Sequence, residues 1–354
     1  MIKNHTRFYI KRQLQKSLEG KTLVPLSNLL KPFFSGSGSI VMLHRVVENK
    51  ENLVCDDLEV TIDFLEKIIQ YFLNRNYEVI TLDMVYEILE GKRKTERKFV
   101  AFTFDDGYVD NYSLAYPLFK KYQIPFAIYI TTSFPDKHAL LWWYALKELV
   151  NSRKQVNFNY GGKAYSFAAS NTKQKEQSYK DIRQLVLNVE VNEHPLLFTE
   201  LFEMNGIKLK NYVEALAMDW KQIKILAQDK LVTIGAHTTN HYNLKVMAPE
   251  LVEKEIRDSK ERIELLTNTK VEHFAFPFGS ENEAGAREFE IAGKLGFKTS
   301  TTTRCGNIFL GHSAYIHCLP RITPNPYLMG SFPHYYASGF IPAIKHKFKR
   351  VITE

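Results

Sequence analysis

Short, continuous apolar runs alternate along this chain with segments whose apolar residues repeat at helical spacing. The runs at 40–43 and 125–130 lack the polar–apolar alternation of a strand that has one face in water. Strands buried on both faces have this composition, and they occur in parallel sheets that helices cover. Residues 61–73, 82–90 and 249–267 show the helical periodicity. The pattern therefore predicts an α/β fold with a parallel sheet or barrel.

The composition is that of a soluble globular protein, with 354 residues of which 45% are hydrophobic and 24% charged. The formal net charge is +8. The chain has no zinc-finger spacing, no RNA-binding aromatic signature and no long arginine-rich arm, so nucleic acid is not a predicted partner. The charge favours an enzyme that meets anionic substrates or the anionic face of a membrane. The sequence does not indicate an oligomeric state.

The three cysteines, Cys55, Cys305 and Cys318, are widely spaced and form neither a disulfide framework nor a C-x-x-C pair. The basic N-terminus is not followed by an uninterrupted apolar segment, and no run approaches the roughly 20 apolar residues that span a bilayer. We therefore expect a cytoplasmic protein without signal peptide or transmembrane helix, and leave peripheral membrane contact open.

Four segments are predicted along the chain. Residues 1–38 form an N-terminal extension, 39–330 a barrel unit and 331–354 a basic C-terminal tail. The strand–helix rhythm is interrupted at about 135–215, where Lys, Gln and Asn are frequent. The Gly161-Gly162 pair there predicts a hairpin, beside two amphipathic helices. We interpret this segment as a long insertion or lid.

Two adjacent carboxylates, Asp105 and Asp106, follow the apolar run at 99–104, and Gly107 permits a sharp turn after them. An unpaired carboxylate in a protein interior is costly, so two in a row at the end of a buried strand indicate a site. The alternative is an ordinary turn, in which Asp is common.

His237 and His241 follow another apolar run, at 231–236. Alone, two histidines four residues apart are more often loop residues than ligands. With Asp106 they form a three-ligand set that suits a catalytic divalent metal. A helical turn would bring the rings to one face, with Cβ atoms roughly 5–6 Å apart, whereas an extended strand would separate them by roughly 13 Å. The metal hypothesis therefore requires a turn directly after 236, and Gly235 permits one.

Three motifs carry a resemblance to a known family. T-F-D-D-G stands at 103–107, H-T-T-N-H at 237–241 and F-P-F-G at 276–279. In this order they resemble the motifs of polysaccharide deacetylases of the NodB-homology type, carbohydrate esterase family 4. The resemblance covers roughly 40–135 and 217–325. It implies a distorted (β/α)7-type barrel, here with a long inserted segment and terminal extensions, whose site lies at the carboxyl ends of the strands.

The resemblance also implies roles for individual residues. Asp105 would be the general base. The other implied positions are the metal ligands Asp106, His237 and His241, with zinc the favoured metal, the oxyanion donor Tyr108 through its backbone N–H, and the pocket residues His44 and Pro277. The implied reaction is hydrolysis of a non-peptide carbon–nitrogen bond, releasing acetate from an acetylated sugar, with N-acetyl favoured over O-acetyl.

Two positions depart from the common family pattern. Many members carry an Arg at the position of Ala275, where it orients the catalytic Asp. Arg321, in the L-P-R-I stretch at 319–322, is the candidate replacement, and a surface ion pair is the alternative interpretation. The general acid is assigned to His317, with His312 or neither as alternatives.

Two other functions remain open on the sequence alone. One is a sugar-binding protein on the same fold that has lost catalysis, and the other is a hydrolase of a non-sugar amide. The intact Asp pair and His pair argue against the first. The second differs only in substrate, which fold-level analogy does not settle.

Overall fold

The computed structural model describes residues 23–49, 58–324 and 333–353. Cys55, residues 1–22 of the predicted N-terminal extension and the first two residues of the predicted C-terminal tail lie outside the described residues. Among the described helices, none has the length and apolar character needed to cross a bilayer.

The strands are mostly short and buried. In chain order they are β1 (Gly38–Leu43), β2 (Arg45–Val47), β3 (Glu59–Thr61), β4 (Glu78–Val79), β5 (Phe99–Phe104), β6 (Phe126–Ile130), β7 (Gln155–Tyr160), β8 (Lys163–Ala168), β9 (Val232–Ala236), β10 (His273–Ala275), β11 (Thr299–Cys305) and β12 (Leu319–Arg321).

The helices lie between these strands and at both ends of the described chain. They are α1 (Val24–Phe34), α2 (Ile62–Leu73), α3 (Leu82–Leu89), α4 (Tyr116–Tyr122), α5 (Trp142–Ser152), α6 (Thr172–Asn188), α7 (His194–Leu201), α8 (Lys210–Leu216), α9 (Trp220–Ala227), α10 (Pro249–Thr267), α11 (Ala286–Lys294) and α12 (Phe340–Lys345).

Seven strands form a parallel sheet in the spatial order β1, β5, β6, β9, β10, β11 and β12, and β4 pairs with β5 beside this path. The sheet curls until its two edges meet. The Met42 N–H donates to the Ile322 carbonyl at 2.9 Å, and the Ile322 N–H donates to the Ile40 carbonyl at 2.8 Å. These bonds join β1 to the residue after β12. The predicted seven-stranded (β/α) barrel, nearly closed, is therefore confirmed.

Outside residues 135–216, the helices that lie between barrel strands each bury one face against the sheet. In α2 the buried residues are Phe64, Leu65, Ile68, Ile69 and Phe72, the spacing that a half-buried helix requires. Threonine side chains begin two of the helices, since Thr61 accepts from the Phe64 N–H and Thr81 accepts from the Met84 N–H, both at 3.2 Å. These caps satisfy otherwise unpaired first-turn donors.

Residues 135–216 form four helices and one hairpin rather than two helices and a hairpin. The hairpin pairs β7 with β8 around Gly161 and Gly162. The two helices that the sequence pattern missed, α7 and α8, span only 8 and 7 residues, too few turns for periodicity to identify. Residues of this segment share a hydrophobic cluster of their own, which also includes Tyr108 of the first motif.

The three consecutive aromatic residues Trp142, Trp143 and Tyr144 are buried in that cluster. The Trp143 indole N–H donates to the Tyr108 hydroxyl at 3.2 Å. These residues therefore anchor the inserted segment through its core. The inserted segment is therefore attached directly beside the Asp pair.

Candidate metal centre and catalytic pair

Three strands finish at the same end of the barrel, and each is followed by a polar side chain of the candidate site. His44 follows β1, Asp105 and Asp106 follow β5, and His237 follows β9. Because these strands are parallel, their carboxyl ends lie at the same end of the barrel. Residues separated by almost 200 positions in sequence therefore lie beside one another.

Asp106, His237 and His241 form a compact buried cluster whose candidate ligand atoms all lie within 4.8 Å of one another. Asp106 Oδ1 is 3.3 Å from His237 Nε2 and 3.2 Å from His241 Nε2. Two imidazole nitrogens and one carboxylate oxygen are a donor set that zinc accepts in catalytic sites. The structure thus brings together the three residues that the sequence predicts as ligands.

The surroundings of this cluster fit a divalent cation. Asp106 Oδ1 is buried, and within the described ranges no donor reaches it at hydrogen-bond geometry. An unpaired buried carboxylate oxygen is costly, and a cation between it and the two Nε2 atoms would remove that cost. His237 Nδ1 lies 2.7 Å from the Ala275 carbonyl. A proton on Nδ1 leaves the Nε2 lone pair directed at Asp106, as metal-binding histidines require.

The histidine loop turns in a way that the sequence prediction did not anticipate. A turn directly follows Ala236, as the metal hypothesis requires, but it is not helical. Thr238 and His241 adopt left-handed backbone conformations, with φ of 63° and 58°. The Thr238 hydroxyl accepts from the His241 N–H at 3.1 Å. This side-chain bond takes the place of a helical hydrogen bond and brings the second imidazole back to the first.

Glu255 of α10 holds the same loop from behind and was missed in the sequence. Its Oε2 accepts from the backbone N–H groups of Thr239 and Asn240 at 3.1 and 2.9 Å, and its Oε1 accepts from the Asn240 amide at 2.6 Å. Burial raises the pKa of Glu255, and these hydrogen bonds only partly oppose the shift. The sequence did contain a signal for this role, because Glu255 is a charged residue on the buried face of the helix, beside Val252 and Ile256.

Asp105 forms a bidentate pair with Arg321 at the end of β12. Arg321 Nη1 donates to Asp105 Oδ1 at 2.7 Å and Nη2 donates to Oδ2 at 2.6 Å. The guanidinium also donates from Nε to the Thr302 carbonyl at 2.9 Å and from Nη1 to the Thr103 hydroxyl at 3.1 Å. Arg321 is completely buried. The ion pair therefore lies in the interior beside the candidate metal cluster, and not on the surface.

The charge state of Asp105 follows from this pair. Burial alone would raise the pKa of its carboxyl, but the charge and hydrogen bonds of Arg321, with smaller contributions from His237 and His44, bring the pKa below its ordinary value. Asp105 is thus held as a carboxylate beside the candidate ligand Asp106. A carboxylate in this position is able to accept a proton from a water molecule at the cluster.

The loops that carry the site store backbone strain. Asp106 and Phe278 have φ of 78° and 57°, values that non-glycine residues rarely adopt. The Phe278 ring packs edge-on against His241, with centroids 4.6 Å apart. Pro277 is buried directly before it. Non-glycine residues keep such conformations where their surroundings enforce them, and they cluster at functional sites.

Tyr108 and His44 lie on either side of the Asp pair. Tyr108 is fully buried, with its ring against Phe134 and Tyr144. Burial raises the pKa of the Tyr108 hydroxyl strongly, and the nearby Asp106 charge adds to the shift. The hydroxyl is therefore neutral. The predicted role of the Tyr108 backbone N–H as an oxyanion donor stays a prediction.

His44 has its Nε2 atom 3.9 Å from Asp105 Oδ2, and 15% of its side chain is exposed. Hydrogen bonds hold the backbone here in place. The Asn111 side-chain amide donates to the His44 carbonyl at 2.7 Å, and two residues further on the Val46 N–H donates to Asp110 at 2.9 Å. Burial lowers the pKa of His44, against the attraction of Asp105 and Asp106.

The structure does not bring His317 or His312 to the site. His317 lies beside Ser300, its Nδ1 3.2 Å from the hydroxyl, near the amino end of β11. Because the site is at the carboxyl end, the prediction of His317 as a catalytic residue is not supported. His312 Nε2 accepts from the Ile352 N–H at 3.2 Å, and its Nδ1 lies 3.1 Å from the Phe309 carbonyl oxygen, to which it can donate. Burial lowers its pKa to about 4. Its contacts attach the end of the chain to the barrel.

Comparison with known proteins shows the family to which the chain belongs. The profile of the polysaccharide deacetylase family matches residues 92–199 and 186–300, more than half of the chain. The chain belongs to the polysaccharide deacetylase family.

Individual relatives are distant. The Bacillus subtilis (strain 168) protein YxkH, which carries the name of a polysaccharide deacetylase, is 22% identical over 267 residues. The match covers 75% of this chain and 66% of that protein, just under two thirds of its length.

Solved structures share the fold at low sequence identity. Deacetylase PplD of Streptococcus pyogenes, in complex with acetate, is 20% identical with a TM-score of 0.54, over 83% of this chain and 97% of that one. IcaB from Ammonifex degensii is 17% identical with a TM-score of 0.53, over 86% of this chain and 97% of that one.

The first prediction concerns the metal ligands. We expect His237→Ala and His241→Ala each to reduce bound divalent metal, measured by elemental analysis of the purified protein, because each removes one of three ligands. The control is His194→Ala, which removes a buried histidine that contacts the Val186 carbonyl in the inserted segment. Metal content that stays equal to wild type in both ligand variants would show that the cluster holds no metal.

The second prediction concerns Arg321. Arg321→Lys keeps the positive charge but loses the fork that holds both Asp105 oxygens. We expect kcat to fall roughly tenfold, the equivalent of one charge-assisted hydrogen bond, while metal content is unchanged. The matched control is Arg304→Lys, a second buried arginine, which donates to the Ala284 carbonyl and lies outside the site. Equal kcat values for the two variants would contradict an orienting role.

Proposed function

We propose that this protein is a divalent-metal-dependent hydrolase that removes acetyl groups, N-acetyl in preference to O-acetyl, from an acetylated sugar or polysaccharide precursor. The observation that carries the proposal is the juxtaposition of the Asp106–His237–His241 cluster with the Asp105–Arg321 pair. Membership of the polysaccharide deacetylase family supports deacetylation of a sugar polymer. Metal dependence, the identity of the metal and the type of acetyl group belong to the proposal.

Zinc is the metal we propose, because two imidazoles and one carboxylate suit it well. When bound, such a cation polarises the acetyl carbonyl and lowers the pKa of a water molecule in the site. Asp105 then accepts the proton of the attacking water on its carboxylate. Arg321 holds that carboxylate in one orientation through both Oδ atoms, so that no reorganisation is needed at the moment of transfer.

We assign to His44 the role of general acid, which protonates the leaving amine. Among the histidines predicted as site residues, it is the one that adjoins Asp105 without belonging to the ligand cluster. Its partly exposed ring is open to a substrate, unlike the buried ligands. An amine leaves poorly without protonation, so a proton held at His44 Nε2 would assist cleavage of the carbon–nitrogen bond. His44 thereby replaces His317 in the proposed mechanism.

The catalytically inactive alternative finds no support in this geometry, since base, orienting arginine and ligand set are all present. The alternative of a non-sugar amide hydrolase differs from the proposal only in the substrate. The cytoplasmic location predicted from the sequence remains a prediction. We retain peripheral membrane contact as part of the proposal.

The test is acetate release from a panel of N-acetylated and O-acetylated oligosaccharides, with and without a chelator. We expect release from N-acetylated members, loss of release with chelator and recovery on addition of zinc. Asp105→Asn should keep its metal and lose about 10²–10⁴-fold in kcat, because an amide accepts no proton. Asp83→Asn, a carboxylate in contact with Lys298, is the control. Chelator-resistant release, or full activity in Asp105→Asn, would refute the mechanism.

A further prediction separates His44 from His317. His44→Gln should lower kcat on an N-acetylated sugar about 10²-fold or more. On p-nitrophenyl acetate, whose leaving group needs no proton, the loss should be much smaller. His317→Gln should leave both rates near wild type. Equal losses on the two substrates would show that His44 does not donate the proton, and a loss confined to His317→Gln would restore the original assignment.

A further inference from the structure

The two ends of the described chain expose large apolar side chains. On α1, Leu26, Leu29 and Phe33 are 46%, 67% and 54% exposed. Their spacing of three and four residues places them on one side of the helix. At the other end, Ile344 and Phe348 are 44% and 58% exposed. We call these five residues the terminal patch. Single exposed apolar residues are normal, but a group of them marks an interaction surface.

The two parts of the patch belong to one packed unit. Helices α1 and α12 share a cluster around the buried rings of Tyr335 and Phe340. Phe34, in the last turn of α1, meets the ring of Phe348 at 5.8 Å between centroids. Gly339, which precedes α12, lies directly against the Phe34 backbone, so that a Cβ there would be 1.9 Å from the Phe34 carbonyl oxygen.

Asn307 attaches this unit to the barrel. Its side chain is buried and its amide nitrogen donates to the carbonyls of Phe34, Tyr336 and Ala337 at 3.2–3.3 Å. Its Oδ1 accepts from the Ser39 hydroxyl of β1 at 2.9 Å. These bonds link the end of α1 and the segment that precedes α12 to β1. The terminal patch is therefore presented by the folded barrel.

The two segments that carry the patch have charge of one sign. The ranges 24–34 and 340–350 contain no Asp or Glu in the sequence. Their charged residues are Lys31, Lys345, Lys347, Lys349 and Arg350. Exposed apolar side chains mixed with basic ones are the composition of helices that lie in a membrane interface.

We propose that the terminal patch docks this protein on the surface of an anionic lipid bilayer. The apolar side chains would enter the boundary between headgroups and acyl chains, and the basic residues would face anionic headgroups. A lipid surface matches both features at once. A polyanion such as nucleic acid would match only the charge, and its phosphates offer nothing to Leu29 or Phe33.

Charge also argues against two other binding partners for the patch, a second copy of the chain and residues 1–22. Two copies joined through this patch would bring their basic residues against one another, since a two-fold interface pairs the same surfaces. Residues 1–22 of the chain contain six Lys or Arg and one Glu, so this segment has the same sign as the patch. An acidic bilayer is the occupant whose charge is opposite.

Docking in this way leaves the catalytic cluster accessible. Residues 35–37 join α1 to the amino end of β1, and Lys98, directly before β5, contacts the Ser35 hydroxyl at 2.8 Å. The end of α1 therefore adjoins the amino ends of the strands, whereas the catalytic residues follow their carboxyl ends. The proposal does not depend on deacetylation.

The test is flotation of the full-length protein with phosphatidylcholine vesicles, with and without phosphatidylglycerol. We expect binding only to the anionic vesicles, weakening as salt is raised. The double variant Leu29→Gln/Phe33→Gln should lower the partition coefficient about tenfold or more. Each of Lys347→Gln and Lys349→Gln should lower it about fivefold. The matched control Leu265→Gln replaces a leucine that is 77% exposed elsewhere and should bind as wild type.

Melting temperature and oligomeric state, measured on the same samples, complete the experiment. Equal flotation of wild type and the double variant, with both folded, would overturn the proposal. A dimer that the double variant converts to monomers, with no change in flotation, would assign the patch to a second copy and also overturn it. Acetate release from a soluble substrate should be the same for wild type and the double variant, so failure of the lipid proposal is distinguishable from failure of the catalytic one.

Discussion

The buried pair of Asp105 and Arg321 is the interaction on which the arrangement of this site depends. It joins the strand that carries the Asp pair to the last strand of the barrel, where Ile322 closes the sheet against β1. Breaking a buried ion pair by removal of one partner costs about 3–5 kcal/mol, because the remaining charge is left without compensation. Closure of the barrel and ionisation of Asp105 are thus supported by the same contact.

The candidate metal-binding cluster of Asp106, His237 and His241 has a comparable support of its own. The histidine loop has strained backbone conformations at Thr238 and His241, and such conformations persist only where neighbouring groups enforce them. Glu255 supplies three acceptor contacts to this loop, and the Ala275 carbonyl fixes the ring of His237. A barrel helix and a barrel strand therefore position side chains that themselves lie on a loop. Rigid neighbours of this kind are what a metal site requires.

The inserted segment acts on the same region through packing. Its cluster includes Tyr108, and Trp143 both bonds to that tyrosine and lies against His241, with ring centroids 4.9 Å apart. The apolar neighbours exclude water from one side of the Asp pair. A lower local dielectric strengthens the charge interactions of the proposed catalytic groups. The segment is therefore part of the site's environment, whatever its effect on the choice of substrate.

The sequence by itself determined the structural features that depend on local residue patterns. Continuous apolar runs predicted the parallel strands, and the polar residues that end them predicted the cluster of Asp106, His237 and His241. Only the tertiary structure decided the contacts that join distant segments. It placed Arg321 on Asp105, Glu255 behind the histidine loop and His44 beside the base, and it placed His317 near the opposite ends of the strands. The physical reason is that periodicity reports which face of an element is buried, whereas the direction of each strand and the closure of the barrel decide which side chains meet.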